Sequence, residues 1–182
     1  MHKPLCFGLI SLAVLSAHAG PPAAAAEDDM ARFMADRGLV DRIQEVKARV
    51  ADRTSELVMT AMAFLGRPYK RGGSDADTGF DCSGFVRSIY ERTVGLVLPR
   101  LAKDQAAATH PIEKQDLQPG DLVFFNTMQR DFSHVGIYVG DGKFIHSPKP
   151  GAQVRVEDMH AAYWSRRFDG ARRVMTDEPV TD

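Results

Sequence analysis

The run Gly79-Phe80-Asp81-Cys82-Ser83-Gly84-Phe85-Val86 decides how this chain is read. From Cys82 onward, Cys82, Phe85, Val86, Ile89 and Tyr90 fall at i, i+3, i+4, i+7 and i+8, which predicts a helix with a single buried face. Asp81 is suited to cap its start and Gly95 to stop it. The first turn thus carries a cysteine, where unpaired backbone N–H groups and the positive end of the helix dipole favour a thiolate. Cys82 is a candidate nucleophile. The competing reading is a small buried apolar side chain.

Working outward toward the N-terminus, Met1-His2-Lys3 precedes an apolar run from Leu5 to Leu15 and then Ser16-Ala17-His18-Ala19. One positive residue, a short apolar core and an Ala-x-Ala ending describe a secretory signal peptide over residues 1–19, too short to span a membrane. Cleavage is expected after Ala19, with Ala26 as the second choice. Cys6 sits at the beginning of the apolar run and not at its end, so no lipid anchor is expected. Cleavage would leave Cys82 as the last cysteine, without a partner for an intramolecular disulfide.

Residues 20–54 read as a flexible and helical lead-in. Pro and Ala dominate its start, and apolar residues from Met30 to Val50 then recur at helical spacing with an interruption near Gly38, which suggests two short helices. Leu57, Val58, Ala61, Met62 and Leu65 predict a further helix ended by Gly66 and Pro68. Tyr69, in the glycine-rich turn that follows, is suited to a site wall, although a loop tyrosine is often only a packing residue.

Downstream of the Cys82 helix, a short helix is expected within Ala102–Thr109. Leu122-Val123-Phe124-Phe125, His134 to Val139 and Lys143 to Ser147 read as strands, the last two joined by a tight turn at Gly140-Asp141-Gly142. Val154–Val156 and Arg172–Met175 are further strands, with Tyr163-Trp164 starting a helical turn or covering the sheet. Helices followed by antiparallel strands make an α+β domain over residues 55–175, with a C-terminal tail at 176–182. A chain of 182 residues with 44% apolar residues supports one such domain and a modest extension. A net charge of -1 gives no basic field for nucleic acid, and no later stretch is apolar enough to span a membrane.

A cysteine nucleophile needs a base to take its proton, and the base works best when a third polar group fixes its tautomer. Of six histidines, His2 and His18 lie in the signal peptide, and His110 and His160 lie in polar connections. His134 and His146 remain, one on each arm of the hairpin. A two-residue turn on Asp141-Gly142 would pair Gly140 with Lys143 and put the two histidines on opposite faces. A three-residue loop would pair Val139 with Lys143 and put them on one face, so a catalytic pair calls for the longer loop. Two structural histidines, or a zinc site built from Cys82, His134 and His146, are the other readings; no C-x-x-C or H-E-x-x-H pair supports zinc.

Taken together, Gly66 to Gly73, Gly79 to Val86, Leu98-Pro99-Arg100, Pro119 to Phe125, His134 to Gly140 and Phe144-Ile145-His146-Ser147 resemble the NlpC family of bacterial cell-wall cysteine peptidases. The resemblance implies a minimal papain-like fold, with N-terminal helices packed on a central antiparallel sheet. It implies Cys82 as nucleophile, His134 as general base, His146 as the residue orienting it, Tyr69 as an active-site tyrosine, and Asp81 and Ser83 as shaping the substrate cleft. The implied activity is hydrolysis of peptide bonds in peptidoglycan stem peptides or cross-links through a thioester, without metal or organic cofactor. A monomer acting in the periplasm or outside the cell, with no membrane anchor after signal cleavage, is expected. A wall-binding adaptor of low turnover and a transferase using the same thioester are the alternatives.

Overall fold

The computed structural model describes Arg32 and residues 38–175. The expected signal peptide and C-terminal tail lie outside those residues, as does most of the stretch before Gly38. The chain divides into a unit ending at Glu45 and a unit beginning at Val46. The sheet and the site described below belong to the second unit.

Helix α1 runs unbroken from Leu39 to Met62. The expected helical segments on either side of residue 54 are therefore one helix, because the polar stretch Ala51-Asp52-Arg53-Thr54-Ser55-Glu56 contains neither Gly nor Pro and helical propensity carries the chain through it. Gly38, at φ 62°, precedes α1. Leu57 and Ala61 are buried, and Gly66 follows in the left-handed conformation. A ribbon of two short strands, β1 (Ser74–Asp75) and β2 (Gly79–Phe80), then leads into helix α2 (Cys82–Val94). Asp81 caps α2 by accepting from the Gly84 N–H, and Gly95 closes it at φ 70°. Both ends are those expected from the sequence. Phe85, Val86, Ile89 and Tyr90 are buried. Full burial of an apolar side chain contributes about 1.5–3 kcal/mol, so this face fastens the helix to the sheet.

Helix α3 (Ala102–Ala107), β3 (His110–Ile112), β4 (Leu122–Phe125), β5 (His134–Gly140), β6 (Lys143–His146), β7 (Arg155–Asp158), α4 (Ala162–Ser165) and β8 (Phe168–Arg173) follow. Six strands form one antiparallel sheet in the order β3-β8-β4-β5-β6-β7. The architecture is α+β, with α2 packed on β5 and β6.

Alternation along the strands divides the core. Leu122, Phe124, Val135, Ile137 and Ile145 join α1 and α2 in one cluster, whereas Val123, Phe125 and Phe144 join Met159 and Trp164 in another. Strand β4 is buried at all four positions because both its faces are covered.

The β5-β6 turn corrects an expectation. Gly140 pairs with Lys143, so the turn is the two-residue Asp141-Gly142, with both residues at positive φ (51° and 70°) as its tight backbone requires. The ladder then shifts: Tyr138 pairs with Phe144 and Ile137 with Ile145, leaving Val139 unpaired as a β-bulge. That extra residue restores the register in which His134 and His146 share a face. The expected three-residue loop is absent, and the bulge does its work.

Candidate active site

The start of α2 is built by close backbone approach. A Cβ on Gly84 would meet the Gly73 carbonyl oxygen at 2.0 Å, so only glycine lets the 70–73 turn lie on the first turn of the helix. The Asp81 carboxylate holds that junction together. It accepts from Gly84 N at 2.8 Å and Gly72 N at 2.9 Å, and it binds Arg100 through Nη1 at 3.0 Å and Nη2 at 2.5 Å. Arg100 Nη1 also donates to Ser83 Oγ at 3.0 Å, and buried Gln105 donates through Nε2 to the carbonyls of Ser83 and Pro99. Asp81 and Ser83 therefore brace the helix start, and neither lines the cleft.

Cys82 opens into a cleft of about 700 Å³ whose wall includes Tyr69, His134, Glu157, Tyr163 and Trp164. Tyr69 is held there by its own backbone: its N–H donates to Ala152 O at 2.8 Å, and Lys70 N donates to Phe80 O at 2.9 Å. Burial, and then the neighbouring Cys82 and Asp81, push the Tyr69 phenol upward.

The thiol does not follow the simple helix-dipole expectation. Burial and then the Asp81 carboxylate push Cys82 up to about 11, outweighing the backbone N–H groups of Val135, Ser83 and Cys82 that favour the thiolate. His134 is pushed the other way, down to about 3, by burial and then by the neighbouring His146. Both shifts favour the uncharged forms, a thiol and a neutral imidazole, in the absence of substrate.

His134 and His146 are both buried. His134 Nε2 stands 2.7 Å from His146 Nδ1, within hydrogen-bond reach. The two nitrogens point at each other and not at a common centre, which speaks against the zinc reading. Among the described residues no group of three or more His, Cys, Asp or Glu side chains is arranged to hold a metal ion. His146 lies behind His134, outside the cleft lining. Trp164 stacks on His134 with ring centroids 5.6 Å apart and meets His146 edge-on at 5.1 Å.

Glu157 was not foreseen from the sequence. His146 pairs across the β6-β7 ladder with Arg155, which puts Glu157 on the same face, one diagonal step away. Glu157 Oε2 lies 3.3 Å from His146 Nε2, an ion-pair distance whose angles fall short of a hydrogen bond. Arg155 Nε holds Glu157 Oε1 at 2.7 Å. The neighbouring His146, and after it the Arg155 guanidinium, hold the Glu157 carboxyl down at about 2. The alternating Arg155-Val156-Glu157 pattern was the visible signal, but its meaning depends on cross-strand register.

A helix-start cysteine beside two buried, mutually bonded histidines on an α+β scaffold defines a papain-like domain. Residues 66–173, more than half of the chain, match the NlpC/P60 family, and the chain belongs to that family. It is 44% identical over 133 residues to murein DD-endopeptidase MepH of Escherichia coli K12, covering 71% of this chain and 49% of that protein. It is 36% identical over 131 residues to gamma-DL-glutamyl hydrolase of Bacillus subtilis, covering 71% of this chain and 32% of that protein. A crystal structure of an NlpC/P60 family protein from Bacillus cereus superposes with a TM-score of 0.61 at 38% identity, covering 66% of this chain and 39% of that one. The chain thus spans about half or less of the length of these relatives.

Proposed function

We propose that this chain is a cysteine endopeptidase that hydrolyses peptide bonds in peptidoglycan. The observation that carries the reading is that Cys82 and His134 face one cleft while His146 Nδ1 holds His134 Nε2 at 2.7 Å. That contact leaves His134 Nδ1 as the nitrogen free to serve the thiol. The thiol proton passes to His134 as sulfur attacks the scissile carbonyl carbon. The backbone N–H of Cys82, at the helix start, stabilises the oxyanion. Collapse breaks the C–N bond, His134 returns the proton to the departing amine, and a thioester remains. Water then attacks it, giving its proton to His134, and the carboxylic acid leaves as the thiol regains a proton. Every step balances with water as the sole co-reactant.

Tyr69, on the cleft wall, is the substrate-binding side chain, and Asp81 and Ser83 act on the cleft through the geometry of the helix start. Two relatives are named for different bonds, a DD-endopeptidase and a gamma-DL-glutamyl hydrolase. The higher identity to the first favours a D,D cross-link as the scissile bond. A wall substrate agrees with the signal-peptide pattern at residues 1–19, and so with action outside the cytoplasm. No helix among the described residues is long and apolar enough to cross a membrane. A monomeric domain over residues 55–175 completes the proposal.

Digestion of purified sacculi with the full chain, read by mass spectrometry of the released muropeptides, tests this directly. New fragments that vanish in Cys82→Ala support the hydrolase; intact sacculi, or fragments that persist in the variant, overturn it. Adducts formed only when an amine acceptor is added would assign a transferase instead.

A further inference from the structure

We propose that Glu157 is a positioning residue that, acting through His146, holds His134 in the tautomer able to accept the Cys82 proton. This rests on the reading of Cys82 and His134 as nucleophile and base, and extends the Cys82, His134 and His146 set by a fourth member.

The inference follows from counting protons along the chain of side chains. To take a proton on Nδ1, a neutral His134 must carry its own on Nε2, and the atom 2.7 Å away that must accept it is His146 Nδ1. In its neutral form, which burial favours, His146 must then carry its proton on Nε2. His146 is fully buried, and a buried N–H without an acceptor is costly. Glu157 Oε2 lies 3.3 Å from that nitrogen, both atoms are buried, and neither has a hydrogen-bond partner elsewhere or yet a well-angled bond to the other, so the carboxylate is the acceptor within reach. A carboxylate offers acceptors only, so it selects the Nε2–H form of His146 and, one ring further on, the Nε2–H form of His134. The opposite pair of tautomers would put a proton on His134 Nδ1, the one nitrogen not engaged by His146, and abolish the base.

The carboxylate is itself held in place. Arg155 binds Oε1 through Nε at 2.7 Å and Nη2 at 2.5 Å, which leaves Oε2 turned to the histidine. Strand register supplies the placement, since Arg155 pairs with His146 and Glu157 lies two residues on along the same face. Glu157 also borders the cleft, so a direct contact with substrate is the role to be separated from positioning.

The experiment uses the full chain labelled with 15N-histidine, observed by NMR of the ring nitrogens, together with steady-state kinetics on a soluble cross-linked muropeptide. In the wild type, His134 and His146 are expected to be protonated on Nε2; finding His146 protonated on Nδ1 overturns the proposal without any variant. Glu157→Met, which removes the acceptor, is expected to mix the tautomers of both rings and lower kcat by about ten- to a hundredfold with KM nearly unchanged. Glu157→Gln, which keeps an oxygen, is expected to retain the wild-type tautomers and fall between the two in kcat. A change confined to KM, or unchanged tautomers and kcat in both variants, overturns the proposal. If Glu157→Met fails to fold, the wild-type tautomers and the Gln variant decide. Failure of the hydrolase reading is separable, because it would appear as absent cleavage in the wild type or cleavage persisting in Cys82→Ala.

Discussion

His134 and His146 meet at right angles, with ring centroids 4.9 Å apart and Nε2 of one 2.7 Å from Nδ1 of the other. The contact consumes one nitrogen of His134 and so decides which one remains for chemistry. Removing it should lower kcat far more than binding. His146→Ala is expected to reduce kcat by about 10²–10⁴-fold, the range seen when a catalytic histidine loses its orienting partner or base function, with KM changed little. His146→Gln, which can still present an acceptor, should recover part of that loss. Equal rates for His146→Ala and wild type on muropeptide would remove His146 from the mechanism.

The neutral resting pair makes a prediction about reactivity. Because burial and Asp81 push the Cys82 thiol up to about 11, alkylation by iodoacetamide should be slow at pH 7 and rise only well into the alkaline range. A resting thiolate-imidazolium pair would instead give fast alkylation on a plateau extending into mild acid. Rates measured from pH 5 to 10 in the absence of substrate distinguish the two.

Acid stability should reflect the same burial. His134 is pushed down to about 3 from 6.5, so the unfolded chain binds a proton that the folded one refuses between those values. The stabilisation is fully present above pH 6.5 and is lost as pH falls toward 3. Glu157, held at about 2, contributes with the same sign below pH 4.5. Urea unfolding at a series of pH values should therefore show stability falling on acidification from pH 6.5. In His134→Gln the slope between pH 6 and 4 should be shallower by about 1.4 kcal/mol per pH unit, one proton's worth. An unchanged slope would mean that His134 ionises normally in the folded protein.

Gly84 sets two physical effects against each other. On propensity alone, Gly84→Ala in a helix gains up to about 1 kcal/mol. Here the added Cβ would meet the Gly73 carbonyl oxygen at 2.0 Å, a backbone atom that cannot swing aside. The clash should win, destabilising the protein by about 1–3 kcal/mol and displacing the 70–73 turn from the helix start. Chemical denaturation gives the sign; a stabilised variant would show that the approach is looser than this.

The parts legible in the sequence were those fixed locally. Asp81, the i, i+3, i+4 spacing after Cys82 and Gly95 define α2 without reference to the rest of the chain, and both ends fall where expected. The apolar runs of β4, β5 and β6 were equally plain, because a strand covered on one or both faces is marked by its own composition. Strands β1, β2 and β3, of two or three residues, are too short to show a period. Arg100 was visible as part of a motif, but not its two-pronged grip on Asp81 across 19 residues. Glu157 was illegible for a further reason: its bearing on His146 exists only through the β6-β7 register, which no local pattern encodes.

The β5-β6 hairpin yields the sharpest test of how register makes the site. Gly140 pairs with Lys143 across the turn, and Tyr138 with Phe144 in the ladder, so Val139 is the single unmatched residue. Deleting Val139 would leave both pairs in place, now in an unbroken ladder, with His134 and His146 still on one face. Its side chain packs partly against the core, so some stability is lost, but cleavage should persist within about tenfold of wild type. Deleting Tyr138 and Val139 together would instead pair Ile137 with Phe144. Side chains alternate with a period of two, so this one-residue shift puts His134 and His146 on opposite faces and should abolish cleavage as completely as Cys82→Ala. If the single deletion were inactive and still folded, the bulge would have a role in the cleft beyond register; if the double deletion kept its activity, the shared face of the two histidines would not be what makes the site.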